Sequence, residues 1–130
     1  MKALDTPALL ALLEGNPRVR QLLKRWRGEE VATTEVNLLE LAFVASRGSS
    51  RARSHRIAAL GRLRRRITVL PVDSRAGDEV LRRLERAGPI PPPTVLAMLA
   101  TLETNGCEEL LTDDPRQIPG KWRFRTTKFT

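Results

Sequence analysis

Three places in this chain of 130 residues put carboxylates where metal chemistry could use them. Asp5 closes the short N-terminal run Met1-Lys2-Ala3-Leu4, Asp113 and Asp114 follow the apolar stretch Glu109–Thr112, and Glu40 sits among Leu38, Leu39 and Leu41. A charge amid leucines is costly unless something there needs it, and glutamate is rarely buried without a partner. Convergent carboxylates suit a hard divalent cation such as Mg2+ or Mn2+. Such an ion activates water and stabilises charge at a phosphodiester. Helix capping and solvated turns account for the same acids equally well at this level.

The elements that would position these acids can be read from hydrophobic periodicity and breakers. Thr6 and Pro7 open an apolar helix over Ala8 to Leu13, broken by Gly15, Asn16 and Pro17. Val19, Leu22, Leu23 and Trp26 recur at helical spacing and predict a second helix ended by Gly28, with Trp26 in the core. Val31 to Thr33 is a short strand, and Glu35 to Ser46 is a helix apolar nearly all round, hence expected to be largely buried. After the turn Gly48-Ser49-Ser50, a fourth helix presents Ile57, Leu60 and Leu63 on one face. Ile67 to Val72 reads as a strand buried on both faces. Ser74 to Ala87 is a helix with Val80, Leu81 and Leu84 inward, and Thr94 to Thr104 another. Glu109–Thr112 and, more weakly, Lys121–Thr127 complete the strands. Strands separated by helices imply a three-layer α/β fold with a parallel sheet, whose strand C-termini share one edge. Asp5, Asp113 and Asp114 belong at that edge.

Composition narrows the partners. The 23 basic side chains, 19 Arg and four Lys, face 15 acids, a formal balance of +8. A field of that sign attracts polyanions, and the guanidinium fork suits phosphate. Between Arg47 and Arg66 there are eight arginines and no acid, which points to a polyanion or an acidic partner segment. The residues expected to meet such a partner are Arg47, Arg51, Arg53, Arg56 and Arg62. No stretch approaches the ~20 apolar residues of a membrane span, and the N-terminus has no apolar leader segment. The expectation is one cytoplasmic domain over residues 1–130. A single cysteine, Cys107, and a single histidine, His55, offer no zinc site. Trp122 and Phe124, interleaved with Lys121, Arg123 and Arg125, fit an edge strand with one face inward better than a base-stacking surface.

Four blocks stand in order along the chain: Met1-Lys-Ala-Leu-Asp5-Thr6, Thr33-Thr34-Glu35-Val36-Asn37-Leu38-Leu39-Glu40-Leu41, Ile67-Thr-Val-Leu-Pro-Val-Asp73 and Leu110-Leu111-Thr112-Asp113-Asp114. Together they resemble the PIN-domain family, in particular the VapC-type toxin endoribonucleases. The resemblance implies a five-stranded parallel sheet of order 3-2-1-4-5 with a Mg2+ site at its C-terminal edge. It implies RNA cleavage, a homodimer and control by a small antitoxin protein. Asp5, Glu40 and Asp114 take the positions of catalytic metal ligands, with Thr6, Thr94, Thr112 and Asp113 in support.

Two departures from the family pattern bear on activity. Pro7 stands where Asn is usual, and Thr94 stands where the family carries an Asp. A threonine hydroxyl can hydrogen-bond a metal-bound water but adds no charge. Because Mg2+ uses only one or two protein carboxylates directly, the loss either weakens binding or disables the attack on phosphate. The alternative to a nuclease is therefore a catalytically impaired PIN-fold module that binds RNA or a protein without cleaving.

Overall fold

Each strand of this protein is only three or four residues long. The computed structural model describes residues 1–86 and 88–130. The strands are β1 (Lys2–Leu4), β2 (Val31–Thr34), β3 (Thr68–Leu70), β4 (Glu109–Thr112) and β5 (Arg125–Lys128). The helices are α1 (Thr6–Leu13), α2 (Pro17–Arg25), α3 (Glu35–Ala45), α4 (Ser50–Arg66), α5 (Ser74–Glu85) and α6 (Pro93–Thr104). All four strand pairings are parallel, in the order β3-β2-β1-β4-β5. The three-layer α/β architecture and the strand order are those expected.

The layers follow from strand pleating, because successive side chains point to opposite faces. Leu4 and Leu111 join Leu9, Val19, Trp26, Leu41 and Leu63 on one face. Their neighbours Ala3 and Leu110 join Met98, Leu99, Leu102 and Phe124 on the other. At the N-terminal ends of the strands, Glu109 is buried and meets Lys2 Nζ at 3.3 Å, Arg125 Nη2 at 2.8 Å and Thr127 Oγ1 at 2.5 Å. Hydrogen bonds from those three groups outweigh the burial that opposes its charge, and the Glu109 carboxyl lies below its ordinary range.

Four expectations about burial need correction. Helix α3 buries Asn37, Leu38, Leu41 and Ala45, but Leu39 is 63% and Phe43 74% exposed. A helix in an outer layer has one side against the sheet, and an all-round apolar pattern does not say what covers the other. Ile57 is likewise exposed, although Leu60 and Leu63 are buried. Strand β3 is not buried on both faces: at the sheet edge, Ile67, Thr68 and Val69 are half-buried and Val72 is exposed. Pro71, with no N–H to donate, follows it immediately. In α5 the inward residues are Ala76 and Glu79, and Leu81 and Leu84 face out. Glu79 accepts hydrogen bonds from both Arg82 and Arg83, which supplies the pairing its burial requires. This helix ends at Glu85, and Ala87 of the expected span lies outside the described residues. Strand β5 begins four residues later than expected, leaving Trp122 and Phe124 stacked ahead of it at 5.8 Å. Phe124 and Trp26 are buried, as read from their spacing.

Candidate functional site

Asp5 occupies the turn between β1 and α1, at the C-terminal edge of the sheet. Its backbone amide donates to Leu111 O of β4 at 3.3 Å, so the turn is fixed by the neighbouring strand. Its Oδ1 caps α1 by accepting from the Ala8 amide at 2.9 Å. The carboxyl is buried, and burial pushes its pKa up to about 6. Hydrogen bonds from the Thr112 hydroxyl and the Ala8 amide pull the other way, while the charges of Asp113 and Glu40 add to the rise. Asp5, Glu40 and Asp113 thus share one electrostatic neighbourhood.

Glu40 comes from α3, yet it is solvent-exposed rather than buried among its leucine neighbours. It lies on the side of α3 turned away from Leu38 and Leu41, which removes the burial cost expected for it. The start of α3 is held by a polar knot centred on Asn37, which is buried. Thr34 caps the helix by accepting from the Asn37 amide at 3.3 Å, and its hydroxyl donates to Asn37 Oδ1 at 2.6 Å. Asn37 Nδ2 donates to Thr6 Oγ1 at 3.1 Å and approaches Met98 Sδ at 3.1 Å. The Thr6 hydroxyl returns a 3.5 Å hydrogen bond to Asn37 O. Asn37 therefore ties together the residue after Asp5, the helix that carries Glu40, and α6.

The end of β4 divides its two acids. Thr112 is buried against Asp5, and Asp113 is exposed. Asp114 instead caps a single 3₁₀ turn, Pro115–Gln117, by accepting from the Arg116 amide at 3.1 Å. Its Oδ1 also receives Arg116 Nε at 3.0 Å, and that guanidinium holds the Asp114 carboxyl below its ordinary range. Thr94 is the second residue of α6 and is exposed. Among the described residues, no group of three or more His, Cys, Asp or Glu side chains is close enough to form a metal cage. The donor set fits a hydrated hard cation held through one or two carboxylates, with the remaining places taken by water.

The PIN domain family model matches residues 2–118. The chain belongs to the PIN-domain family. This PIN domain is similar in fold to a chain of VapBC2 from Rickettsia felis bound to promoter DNA, with a TM-score of 0.80 at 14% identity over 98% of this chain and 97% of that one. The DNA-bound VapBC of Salmonella typhimurium gives 0.80 at 20% identity over 99% and 98%. A sarcin–ricin loop cleaving toxin of Mycobacterium tuberculosis gives 0.63 at 20% identity over 90% and 92%. No curated protein sequence matches significantly.

In this PIN domain the arginines expected to meet RNA do not form one patch. Arg56 staples the α3–α4 turn, donating from Nε to Ala45 O at 3.1 Å and from Nη2 to Arg47 O. Arg51 and Arg53 are exposed at the start of α4. Arg62 lines a groove that also contains Leu23, Trp26 and Leu63. His55 is exposed on α4, and Cys107 is buried, where burial pushes its thiol pKa up. No helix among the described residues is long and apolar enough to cross a membrane. Sequence reasoning missed Asn37, whose only local signal is its place three residues after the capping Thr34.

Proposed function

We propose that this PIN domain is a Mg2+-dependent endoribonuclease of the VapC type, cleaving RNA phosphodiesters at the edge where β1, β2 and β4 end. The observation that carries the reading is the buried Asp5 carboxyl, whose ionisation is opposed by burial and by two neighbouring carboxylates. A site that concentrates negative charge at a cost to itself is suited to a cation. When bound, Mg2+ supplies charge neutralisation at the phosphate and a more acidic water. Asp5 and Glu40 are the side chains that would hold it, with Asp114 joining when it leaves Arg116. Thr112 orients the Asp5 carboxylate through its hydroxyl. Asn37 fixes Thr6 and the first turn of α3, so the Asp5 and Glu40 backbones keep their separation. Asp113 adds negative charge, and Thr94 offers a hydroxyl to water. The basic α4 face, including Arg51 and Arg53, draws in the RNA backbone.

On the same reading the protein is cytoplasmic and is restrained by a small antitoxin. It pairs with a second copy through the exposed Leu39 and Phe43 of α3. The neutral Thr94 and the engaged Asp114 favour a second reading, a PIN fold that binds RNA or a protein without cleaving. RNA cleavage by the wild type in Mg2+, lost in EDTA and in Asp5→Asn, is the result expected of the nuclease. Silence in the wild type with cleavage in Thr94→Asp would establish the impaired module instead.

A further inference from the structure

A second basic feature lies away from the acidic edge. Helix α5, α6 near its C-terminus and residues 121–123 enclose a cleft of about 780 Å3. Neither Asp5, Glu40, Asp113 nor Asp114 lines it. Its cations are Arg75, Arg82, Arg83, Arg86, Lys121 and Arg123, and its acids are Asp78, Glu79 and Glu103, a formal excess of three positive charges. Three of the arginines come from α5 at positions 75, 82 and 83, and Arg86 follows directly on its last residue.

Four of the five guanidinium groups pair with a carboxylate without being used up. Arg82 Nη2 lies 2.7 Å from Glu79 yet the Arg82 side chain is 57% exposed. Arg123 pairs with Glu103 at 3.5 Å and is 91% exposed. Each guanidinium has five donors, so one carboxylate contact leaves several for a ligand. Arg83 is fixed more firmly: it donates to Glu79 at 2.8 Å and to Lys121 O at 2.5 Å, and lies 3.8 Å from the centre of the Trp122 ring. Phe124 covers the Trp122 ring as well. With Arg83 over the ring, the indole serves to hold that guanidinium in place. What the cleft offers a partner is a row of oriented positive charges.

We propose that this α5–α6 cleft is a phosphodiester-binding site that takes the backbone of a single-stranded RNA by charge, separately from the acidic edge. The inference rests on the reading of the chain as an RNA-binding PIN domain, but not on its being able to cleave. Preorganised arginines lose little freedom on binding phosphate, and they do not discriminate between bases. The cleft therefore contributes affinity and salt dependence rather than sequence choice.

The test is binding of a fluorescent single-stranded RNA to the full chain in EDTA, where metal-dependent cleavage does not interfere. Arg82→Gln/Arg86→Gln/Arg123→Gln is compared with a triple of equal charge on α4, Arg51→Gln/Arg53→Gln/Arg65→Gln. All six side chains are exposed, so both variants should fold, and circular dichroism checks this. The cleft triple is expected to bind at least about tenfold more weakly and to lose more than the α4 triple. Its slope of log K against log salt should flatten by about 2, at roughly 0.7 per phosphate contact. Binding by the cleft triple within twofold of wild type, or a loss no greater than that of the α4 triple, overturns the proposal. So does a wild type that fails to bind the RNA at about 50 mM salt. Polyglutamate binding that needs these arginines while RNA binding does not would assign the cleft to an acidic protein segment. A wild type that binds RNA through the cleft yet never cleaves it sinks the nuclease reading and leaves this one standing.

Discussion

Asp114 and Arg116 form a closed local pair: the carboxylate caps the 3₁₀ turn through the Arg116 amide while the same residue's guanidinium lies 3.0 Å away. The acid that family resemblance assigns to the metal is thus committed to its own turn. Arg116 is 89% exposed, so the side-chain half of the pair is weak and can be removed without disturbing the core. Arg116→Gln is expected to keep the backbone cap, tighten Mg2+ binding and raise any nuclease activity. Isothermal titration with Mg2+ checks this, and unchanged affinity would show that Asp114 stays out of the site.

Asp5 should make stability fall as pH rises. Its pKa is about 6 in the folded protein against 3.8 in the open chain. The folded state therefore binds more protons between those values, and the unfolding free energy declines through that window. By neutral pH the loss from this one group is about 3 kcal/mol. Asp5→Asn, which can still cap α1, is expected to match the wild type near pH 4 and exceed its stability at pH 7. Urea denaturation at the two pH values reads the difference. Added Mg2+ should recover part of it in the wild type only.

Glu109 predicts the opposite slope. Its carboxyl is depressed, so its contribution is present above the ordinary glutamate value and is lost on acidification. Glu109→Gln leaves Lys2 and Arg125 without their shared anion. The melting temperature should drop at pH 7, and the gap to wild type should narrow toward pH 3.

The outer face of α3 can be altered without cost to the fold. Phe43 is 74% exposed, so Phe43→Ser should change monomer stability by no more than about 0.5 kcal/mol. If α3 forms the contact between two copies, the same change shifts the protein from dimer to monomer in analytical ultracentrifugation. A dimer that persists in both Phe43→Ser and Leu39→Ser places the contact elsewhere.

The parts of this protein that depend on chain order are legible in the sequence. Alternating strands and helices dictate a parallel sheet, and a parallel sheet puts Asp5 and the Thr112 to Asp114 segment at one edge. Trp26 reads as core because Leu22 and Leu23 share its side of the helix. What could not be read depends on how elements meet. Asn37 looks like an ordinary residue in a first helical turn until Thr6 and Met98 arrive from distant segments. Leu81 and Leu84 follow the spacing of an inward stripe, but α5 turns Ala76 and Glu79 inward instead. Glu40 among leucines reads as buried because composition ignores which side of α3 the sheet occupies.

The two tryptophans sit in unlike surroundings. Trp26 is buried in the core with Leu9 and Leu63, and Trp122 is half-exposed under a guanidinium in the α5–α6 cleft. With no tyrosine in the chain, ultraviolet emission comes almost wholly from these two side chains. The molecule therefore carries two native fluorophores, one reporting unfolding of the interior and the other reporting events at the basic cleft. Trp122→Phe separates the two signals without any added label.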